Sequence, residues 1–363
     1  VGESRYAPRE WFRGIEIRRV ASTTFGRGSI PGRLADYASF YAACAAELAL
    51  LPQQDVVITL STPPLVSLLG AGARLASGGR TRFVYWVQDL YPDVAVQLGV
   101  LGARSPATLA LEQISRQSLR AADAVVAIGD AMAEQLVARG ARRERVEVIH
   151  NWSDGAEIGA VRREDNWFLD RHGLRGRFVV LYSGNMGRGH EFGTLLEAAE
   201  RLRHRDDVVF LFVGEGAKRG EIEAAAQRCP NVRLLPYQKR EDLPYSLGAG
   251  DLMAITLSDG LEGMIVPSKL YGALAARKPV LFVGPQSSDV ARVIERERCG
   301  RAFAHGDTAG VVAMIDSLAN RRAEAEAMGE RGRSAFEARF ERRVSTAQFA
   351  RLCGRLAAEE APR

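Results

Sequence analysis

The sequence contains little cysteine and little lysine, and both shortages are informative. Four cysteines are spread over 363 residues without a CxxC pair, which is typical of a reducing compartment and argues against a disulfide-stabilised secreted protein. Of 49 basic side chains only four are lysine, namely Lys218, Lys239, Lys269 and Lys278. Because the sequence uses arginine almost everywhere else, each lysine is a position of interest.

The sequence also lacks a hydrophobic run long enough to cross a membrane. The longest uncharged stretch, 56–73, is interrupted by Ser61-Thr62-Pro63-Pro64, whereas a spanning helix needs about 20 mostly apolar residues. The chain opens on charged residues and not on an apolar leader. With 47% apolar and 26% charged residues, the composition excludes fibrous and disordered classes and favours a cytoplasmic globular enzyme.

Several common kinds of active site have no counterpart in the sequence. The five histidines do not cluster, and there is no HExxH, no GxSxG and no GxxxxGK[ST] motif. These absences argue against zinc proteases, serine hydrolases of the α/β type and P-loop NTPases. No RNP aromatics or recognition-helix signature occur either, so we expect no nucleic-acid partner.

What the sequence does contain is an alternation of short apolar β-branched runs with longer amphipathic runs. This alternation predicts an α/β protein with parallel sheets covered by helices on both faces. The strand candidates are Ile15–Val20, Val56–Leu60, Phe83–Val87, Ala124–Ile128, Val146–Ile149, Phe178–Tyr182, Val208–Val213, Val232–Leu235, Leu252–Thr256 and Val280–Val283.

The alternation pauses between residues 151 and 176, which divides the chain into two doubly wound domains. We predict domains at 1–157 and 175–340, a linker at 158–174, and a helix at 341–363 that packs back on the first domain. Two such domains face each other across a cleft, and parallel sheets bind ligands at the carboxyl ends of their strands. Functional residues are therefore expected in the loops that follow strands.

The first of these loops reads Gly184-Asn185-Met186-Gly187-Arg188-Gly189-His190. Its glycines let the backbone approach a bulky anion, and the amides of the helix that follows can hold phosphate oxygens. Arg188 and His190 add cationic or donor groups. The loop differs from GxGxxG and lacks an acidic residue about 20 positions later, so it favours a phosphate site over a dinucleotide site. A plain tight turn is the alternative.

Two further loops carry chemistry. The segment Asp259–Gly272 leads into a helix expected to begin near Pro267, with Ser268 and Lys269 in its first turn. A cation at that end opposes the helix dipole, which is understandable if an anion binds beside it; a solvated surface lysine is the alternative. In the first domain, Asp89 follows an apolar strand and either faces the cleft or caps a turn, and Ser61 and Thr62 hold a similar position.

In these segments the chain resembles the GT-B-fold retaining glycosyltransferases of family 4, in particular the bacterial members that build lipid-linked surface polysaccharides. The resemblance extends from about residue 33 to residue 352. The matching segments are Ser61-Thr62-Pro63-Pro64, Gln88-Asp89-Leu90-Tyr91-Pro92-Asp93, Ile149-His150-Asn151-Trp152, Tyr182-Ser183-Gly184-Asn185-Met186-Gly187, Phe212-Val213-Gly214-Glu215-Gly216, Leu235-Pro236-Tyr237-Gln238, Pro267-Ser268-Lys269-Leu270-Tyr271-Gly272 and Lys278-Pro279-Val280.

The resemblance implies a nucleotide-diphosphate sugar, such as a UDP-sugar, held by the second domain. It also implies a saccharide acceptor on a polyprenyl diphosphate, held by the first, and transfer with retention of configuration. It implies that no metal or cofactor takes part, since protein cations stabilise the leaving diphosphate. The catalytic residues would be Asp89, Arg188 and Lys269, and the acceptor-side residues Ser61 and Thr62. The donor-binding residues would be Gly184, Asn185, Gly187, His190, Glu215, Tyr237, Gln238, Glu262, Gly263, Met264 and Ser268.

The sequence departs from the family pattern at several positions. Asn185 and His190 stand where many members have arginine and lysine, Gln88 stands where relatives often carry histidine, and Gly272 replaces a ribose-binding glutamate. Glu262 is the candidate for the other glutamate of that pair. The family's opening strand and glycine-rich loop have no counterpart before Ile15–Val20, so we expect a fragment whose first domain lacks its opening strand, loop and helix.

Two other functions remain open at this point: a UDP-sugar 2-epimerase on the same fold, and a catalytically reduced GT-B subunit that only binds. Membrane contact is a separate expectation. The first 33 residues carry seven Arg and three Glu, which suits an anionic surface as well as a solvated edge. Together with nearby aromatic residues they predict peripheral contact with the inner face of the cytoplasmic membrane. Those residues are Trp11, Phe12, Tyr37, Phe40 and Tyr41.

Overall fold

The structure is a computed structural model that describes residues 6–26, 30–159 and 161–359. Its first part holds a parallel sheet in the order β3-β4-β5-β6 and, apart from it, a hairpin of β1 and β2. The strands are β1 Arg9–Phe12, β2 Ile15–Arg18, β3 Val56–Leu60, β4 Arg82–Val87, β5 Ala124–Ala127 and β6 Val146–Val148. The helices are α1 Ile30–Leu50, α2 Ser67–Ala76, α3 Asp93–Gln97, α4 Pro106–Ala121 and α5 Asp130–Ala138.

The second part holds a larger parallel sheet in the order β12-β11-β10-β7-β8-β9. Its strands are β7 Phe178–Ser183, β8 Val208–Val213, β9 Val232–Leu235, β10 Leu252–Thr256, β11 Val280–Val283 and β12 Gly300–Phe303. Its helices are α6 Trp167–Arg171, α7 Gly193–Arg201, α8 Arg219–Ala226, α9 Leu243–Gly248, α10 Lys269–Ala275, α11 Asp289–Glu297, α12 Thr308–Asn320 and α13 Arg322–Ala335. A π-helical turn at Phe336–Phe340 then leads into α14, Arg342–Ala358.

The continuous apolar strands are explained by burial on both faces of the sheet. Alternate residues of β7 belong to different cores: Val179 and Leu181 pack in one cluster, and Val180 and Tyr182 in another. Side chains of a strand alternate between faces, so a sheet covered by helices on both sides needs apolar residues at every position. The predicted α/β class with two doubly wound domains is confirmed.

The order of the second sheet places its switch point between β7 and β10. Strands on one side of this pair run β7-β8-β9, and strands on the other run β10-β11-β12. The loops that leave β7 and β10 therefore diverge to opposite faces of the sheet and leave a crevice between them. Ligands of open parallel sheets bind in such crevices, so the topology directs attention to the loops after Ser183 and after Thr256.

The strand predicted at Ile15–Val20 forms differently from the others. It pairs antiparallel with β1, with Phe12 opposite Ile15, outside both parallel sheets. The connection consists of Arg13 at φ 52° and Gly14 at φ 83°. Two successive residues with positive φ form the kind of tight turn that joins a β-hairpin.

The helix at the end of the chain contacts the first sheet. Leu352 and Leu356 of α14 are buried with Val84 of β4 and Val126 of β5. Residues that we predicted as linker contribute to the core of the second domain, where Phe168, Leu169 and Leu174 are buried. Within the described residues, no helix combines the length and the apolar character that crossing a membrane requires.

Candidate active site

The loops after β7 and β10 meet at the switch point. The amide of Ser258 donates a hydrogen bond to the carbonyl oxygen of Gly189 over 2.9 Å. A Cβ atom at Gly189 would lie 3.2 Å from Leu261 and 3.4 Å from Ile265, so this glycine allows the two loops to pack closely. The glycine loop, residues 184–190, is thereby held against the loop 257–268.

Glycine is required where the glycine loop passes the next strand. Gly184 and Gly214 have φ values of 134° and 140°, and a Cβ atom on Gly214 would collide with the carbonyl oxygen of Gly184. The amide of Met186 donates to the carbonyl oxygen of Glu215 over 2.8 Å, and the Met186 side chain is fully buried. The loop therefore has a fixed shape, with Asn185 and Arg188 exposed on it.

Lys269 brings a cation to this loop. Its Nζ lies 3.3 Å from the carbonyl oxygen of Asn185, 3.1 Å from Nε2 of His190 and 4.9 Å from the ring centroid of Tyr182. Among the residues that the structure describes, no carboxylate forms an ion pair with Lys269. Burial lowers the pKa of Lys269 from 10.5 to about 8, because desolvation disfavours the charged amine.

His190 supports Lys269 as a neutral acceptor. Its Nδ1 lies 2.7 Å from the carbonyl oxygen of Thr256, which fixes the proton on that nitrogen and leaves Nε2 to accept from Lys269. Burial, with the charge of Lys269 as the second cause, lowers the pKa of His190 to about 4. At neutral pH the positive charge at this place therefore belongs to Lys269.

One of the amides expected to hold phosphate, at the start of the helix after the glycine loop, already has an acidic partner. The Glu191 carboxylate accepts from the amide of Gly193, the first residue of α7, and its other oxygen lies 2.9 Å from Nδ1 of His305. An acidic side chain there satisfies one free amide of the helix end and places a negative charge beside it. The loop amides, Lys269 and the exposed Arg188 are the other groups there that can bind an anion.

Four other predicted donor-binding residues lie around this loop and differ in whether their side chains already have protein partners. Glu215 is paired with Arg219 over 2.8 Å, and the exposed Tyr237 lies beside Gly214. Gln238 donates to the carbonyl oxygen of Pro236. Ser268 is exposed and makes no capping bond to α10, which begins at Lys269, two residues after Pro267.

Arg188 and Glu262 are the two predicted site residues whose charged groups lack a protein partner. The exposed side chain of Arg188 has no ion-pair or hydrogen-bond partner among the described residues. Glu262 lies in the loop after β10, and its Oε2 atom is buried without a hydrogen-bond partner. A buried carboxylate oxygen without a donor is costly, so a ligand hydroxyl or amide would stabilise it.

The loop after β10 also reaches the first domain and closes one end of the cleft. The carbonyl oxygen of Met264 accepts from the amide of Leu90 over 2.9 Å, and that of Asp259 accepts from Gln97 over 3.1 Å. Gly263 has φ 70°, and a Cβ atom there would lie 2.9 Å from the carbonyl oxygen of Ala131. Predicted donor-side residues of one domain thus meet the segment that carries Asp89 in the other.

Asp89 is held on the first-domain side of this contact. The Ser61 hydroxyl oxygen accepts from the amides of Gln88 and Asp89, over 2.9 and 3.0 Å. Thr62 donates to Oδ2 of Asp89 over 3.3 Å. Burial raises the pKa of Asp89 above its usual value. The structure therefore brings together the three first-domain residues that the sequence indicated.

One interdomain residue, Asp289, was missed. Its Oδ1 atom accepts from the amide of Ala131 over 2.9 Å, so a residue of the second domain caps α5 of the first. Gly129 is needed there because a Cβ atom would collide with this carboxylate. The sequence Ser288-Asp289 has the form of an ordinary helix start, and nothing in it points to a partner 158 positions away.

Taken together, these residues place one partly desolvated cation, the exposed Arg188 and a set of loop amides at the switch point. The half-buried carboxylate of Asp89 belongs to the first-domain segment that contacts the loop after β10. Such an arrangement binds an anion and stabilises negative charge that develops on it. Within the described residues, no three or more His, Cys, Asp or Glu side chains lie where they could share a metal ion.

Two family models match the chain. One, described as glycosyl transferase 4-like domain, matches residues 2–152, and the other, described as glycosyl transferases group 1, matches residues 168–335. Probable glycosyltransferase WbjE of Pseudomonas aeruginosa is 27% identical over 298 residues, which are 82% of this chain and 73% of that protein. Putative colanic acid biosynthesis glycosyl transferase WcaI of Escherichia coli K12 is 30% identical over 247 residues, which are 66% of this chain and 59% of that protein.

Solved structures share the fold. Anabaena HepE in complex with UDP has a TM-score of 0.70 at 17% identity and covers 89% of this chain and 83% of its own. Sucrose-phosphate synthase of Thermosynechococcus elongatus has a TM-score of 0.76 at 17% identity, covering 98% and 86%. WaaG, a glycosyltransferase involved in lipopolysaccharide biosynthesis, has a TM-score of 0.67 at 17% identity, covering 96% and 89%.

Proposed function

Because the chain is a glycosyltransferase with the GT-B fold, we propose that it moves a sugar from a nucleoside diphosphate, bound by the second domain, to an acceptor hydroxyl on the first. The observation that carries this proposal is the position of Lys269. Its ammonium group contacts the glycine loop at the switch point and has no carboxylate partner among the described residues. A diphosphate is the ligand whose charge fits that position.

The second-domain side of the cleft stabilises the leaving group of the reaction. When the bond between the anomeric carbon and the phosphate oxygen breaks, its electron pair stays on the diphosphate. Lys269, Arg188 and the amides of residues 184–190 stabilise that charge. His190 keeps the Lys269 ammonium in place by accepting from it, over 3.1 Å. This electrostatic role needs no metal ion, and metal independence is part of the proposal.

The donor sugar is placed between the two loops. Glu262 offers a buried carboxylate oxygen without a protein donor, which suits a sugar or ribose hydroxyl. Gly263 and Met264 lie next to it, where the loop meets the first domain. Tyr237 is 54% exposed beside Gly214 and offers an aromatic face to a base. These positions support one continuous donor site from base to sugar.

On the acceptor side, Asp89 accepts a hydrogen bond from the acceptor hydroxyl, with Ser61 and Thr62 holding the loop. The new bond joins that hydroxyl oxygen to the anomeric carbon, and the hydroxyl proton leaves to the departing phosphate oxygen or to Asp89. Retention of configuration belongs to the proposal and is supported by the family resemblance alone. The anomeric signal in the NMR spectrum of the product shows whether the configuration of the donor sugar is retained.

The proposed pathway is the synthesis of cell-surface polysaccharide on a polyprenyl-diphosphate carrier. It is supported by the names of the relatives, one assigned to colanic acid biosynthesis, and by the fold of a lipopolysaccharide glycosyltransferase. Peripheral membrane contact is supported by the hairpin, whose Trp11 and Phe12 are 73% and 57% exposed beside Arg13. Tyr37, Phe40 and Tyr41 are half-buried and contribute less to such a surface.

A thermal-shift screen with UDP, GDP and dTDP tests the donor site. A nucleotide at 100 times its Kd stabilises the folded chain by about 2.7 kcal/mol, and we expect one of the three to do so. The preferred sugar nucleotide is then incubated with a lipid-linked acceptor, with and without EDTA. Transfer that EDTA leaves unchanged supports the proposal. Epimerised sugar nucleotide without acceptor would favour a 2-epimerase, and nucleotide binding without turnover would favour a binding subunit.

A further inference from the structure

The first domain contains a second concavity beside the candidate active site. A groove of about 420 Å³ lies between α1 and the segments that follow β3 and β4. Tyr37, Ala38 and Tyr41 of α1 form one wall, and Leu65 and Leu101 stand opposite. This volume lies in the range in which proteins bind small organic molecules.

The lining of the apolar groove is unsuited to a saccharide. Its walls consist of aliphatic and aromatic side chains, and the hydroxyl of Tyr41 already donates to the carbonyl oxygen of Pro64. Apart from the tyrosine hydroxyls its lining side chains are apolar, so a sugar would lose most of its hydrogen bonds to water there. A hydrocarbon chain loses nothing and gains burial of apolar surface.

The apolar groove lies next to the acceptor side of the cleft and shares lining residues with it. Pro64, Leu65 and Tyr91 line the groove and also line a smaller pocket that contains Ser61. Ser61 in turn holds the amide of Asp89 over 3.0 Å. A ligand that presents a polar group near Asp89 can therefore lay an apolar tail in the groove.

The outer end of the apolar groove is open. Leu34 and Val100 stand on its rim and are 62% and 50% exposed. Two large exposed apolar side chains at the mouth of an apolar groove are unfavourable in water. They become favourable where a hydrocarbon chain leaves the groove toward a membrane.

We infer that the apolar groove between α1 and the loops carrying Leu65 and Tyr91 binds the first part of the hydrocarbon chain of a lipid diphosphate, the acceptor's own anchor. This inference rests on the proposed function, because it takes the segment around Asp89 as the acceptor side. It adds that the enzyme selects its acceptor partly by the lipid and not by the saccharide alone.

The test uses farnesyl diphosphate as the probe, measured by isothermal titration calorimetry, with inorganic diphosphate as the head-group control. Ala38→Trp fills the groove from an exposed position of α1. Ala42→Trp is the matched control, since Ala42 is exposed one turn later on the same helix and lies outside the groove. Val100→Asp, on the rim, provides a second variant that removes apolar surface without adding bulk inside.

We expect Ala38→Trp and Val100→Asp each to weaken farnesyl diphosphate binding at least tenfold, and Ala42→Trp to change it less than twofold. Binding of inorganic diphosphate is expected to be the same in all variants. Equal farnesyl diphosphate affinity in Ala38→Trp and the unmodified chain would overturn the inference. The inference would also be overturned if the variants bound farnesyl diphosphate normally and lost only flotation with phosphatidylglycerol vesicles, since that result would assign the groove to bilayer lipid.

UDP titrations of the same variants separate this inference from the proposed function. Unchanged UDP affinity with weakened farnesyl diphosphate binding supports both. Absence of nucleotide binding in every variant would contradict the donor site while leaving the result for the groove readable. If Ala38→Trp leaves the KM for a lipid-linked acceptor unaltered, the result counts against the groove and not against the donor site.

Discussion

Replacing Lys269 with methionine removes the cation from the glycine loop while keeping most of the side-chain volume. The ammonium group of Lys269 contacts only uncharged groups, namely the carbonyl oxygen of Asn185 and neutral His190. Its charge is therefore available to a diphosphate. A hydrogen bond to a charged group contributes about 1.5–3 kcal/mol, so we expect the Kd for the preferred nucleoside diphosphate to rise roughly 10- to 150-fold.

The same substitution is expected to stabilise the unliganded chain. The pKa of Lys269 falls from 10.5 to about 8 on folding, and one pKa unit corresponds to about 1.4 kcal/mol. Between these values the unfolded chain binds the proton that the folded chain has lost, so stability rises with pH there and is lower below pH 8. Removing the amine should recover up to roughly 3 kcal/mol at pH 7.

The pH dependence of binding follows from the same pKa. A bound diphosphate favours the protonated amine, so above about pH 8 the binding reaction must take up a proton. The affinity of the unmodified chain should then fall by about tenfold for each further pH unit. The affinity of the Lys269→Met variant should stay flat over the same interval, because no amine is left to titrate there.

Calorimetric titration with the preferred nucleotide and urea unfolding of the free protein measure both effects. Lys278→Met is the matched control: Lys278 is also buried with a lowered pKa, but it donates to the carbonyl oxygen of Gly248. It precedes β11 and so lies at the amino ends of the strands, whereas the glycine loop follows their carboxyl ends. It should leave nucleotide affinity unchanged. If Lys269→Met bound the nucleotide as tightly as the unmodified chain, Lys269 would not belong to the donor site.

Three other substitutions address the rest of the cleft and the membrane contact. Asp89→Asn should lower kcat by 100-fold or more with nucleotide Kd unchanged, and an unaltered kcat would remove Asp89 from the chemistry. Gly263→Ala forces a Cβ atom toward a carbonyl oxygen of α5 at φ 70°, so urea unfolding should show a loss of about 1–3 kcal/mol in stability and the KM for the donor should rise. If both quantities stayed unchanged, the close contact between this loop and α5 would be contradicted. Replacing Trp11 and Phe12 with serine should reduce flotation with anionic vesicles, whereas Leu75→Ser, at an exposed site of α2, should not; equal flotation of both variants would exclude the hairpin as the contact.

The fold was predictable because most strands of its parallel sheets are buried on both sides, although β3 at a sheet edge is not. Runs such as Phe178–Ser183 are apolar at every position, which distinguishes a parallel sheet between helices from a half-exposed one. The strand β12 was missed because it begins at Gly300 and exposes Arg301. Its glycine is required by contact with Val280 of the neighbouring strand, a constraint that acts across the sheet and leaves no periodic pattern.

The position of Lys269 beside the glycine loop was predictable from local chemistry, whereas the acidic contacts around this region were not. A lysine in the first turn of a helix opposes the helix dipole, and this conflict singled out Lys269. In contrast, Glu191 and Asp289 have partners far away in sequence: Glu191 contacts His305 while it accepts from an amide at the start of α7, and Asp289 caps α5 across the domains. Acidic residues at helix starts look alike in sequence, so only the fold distinguishes them.

The most direct test of this account is the position of the diphosphate in a crystal structure of the chain with its preferred nucleotide. We predict a phosphate oxygen about 2.7–3.2 Å from Nζ of Lys269, with further contacts to amides of the glycine loop, residues 184–190. A nucleotide whose diphosphate lies outside hydrogen-bond reach of both Lys269 and that loop would contradict the account.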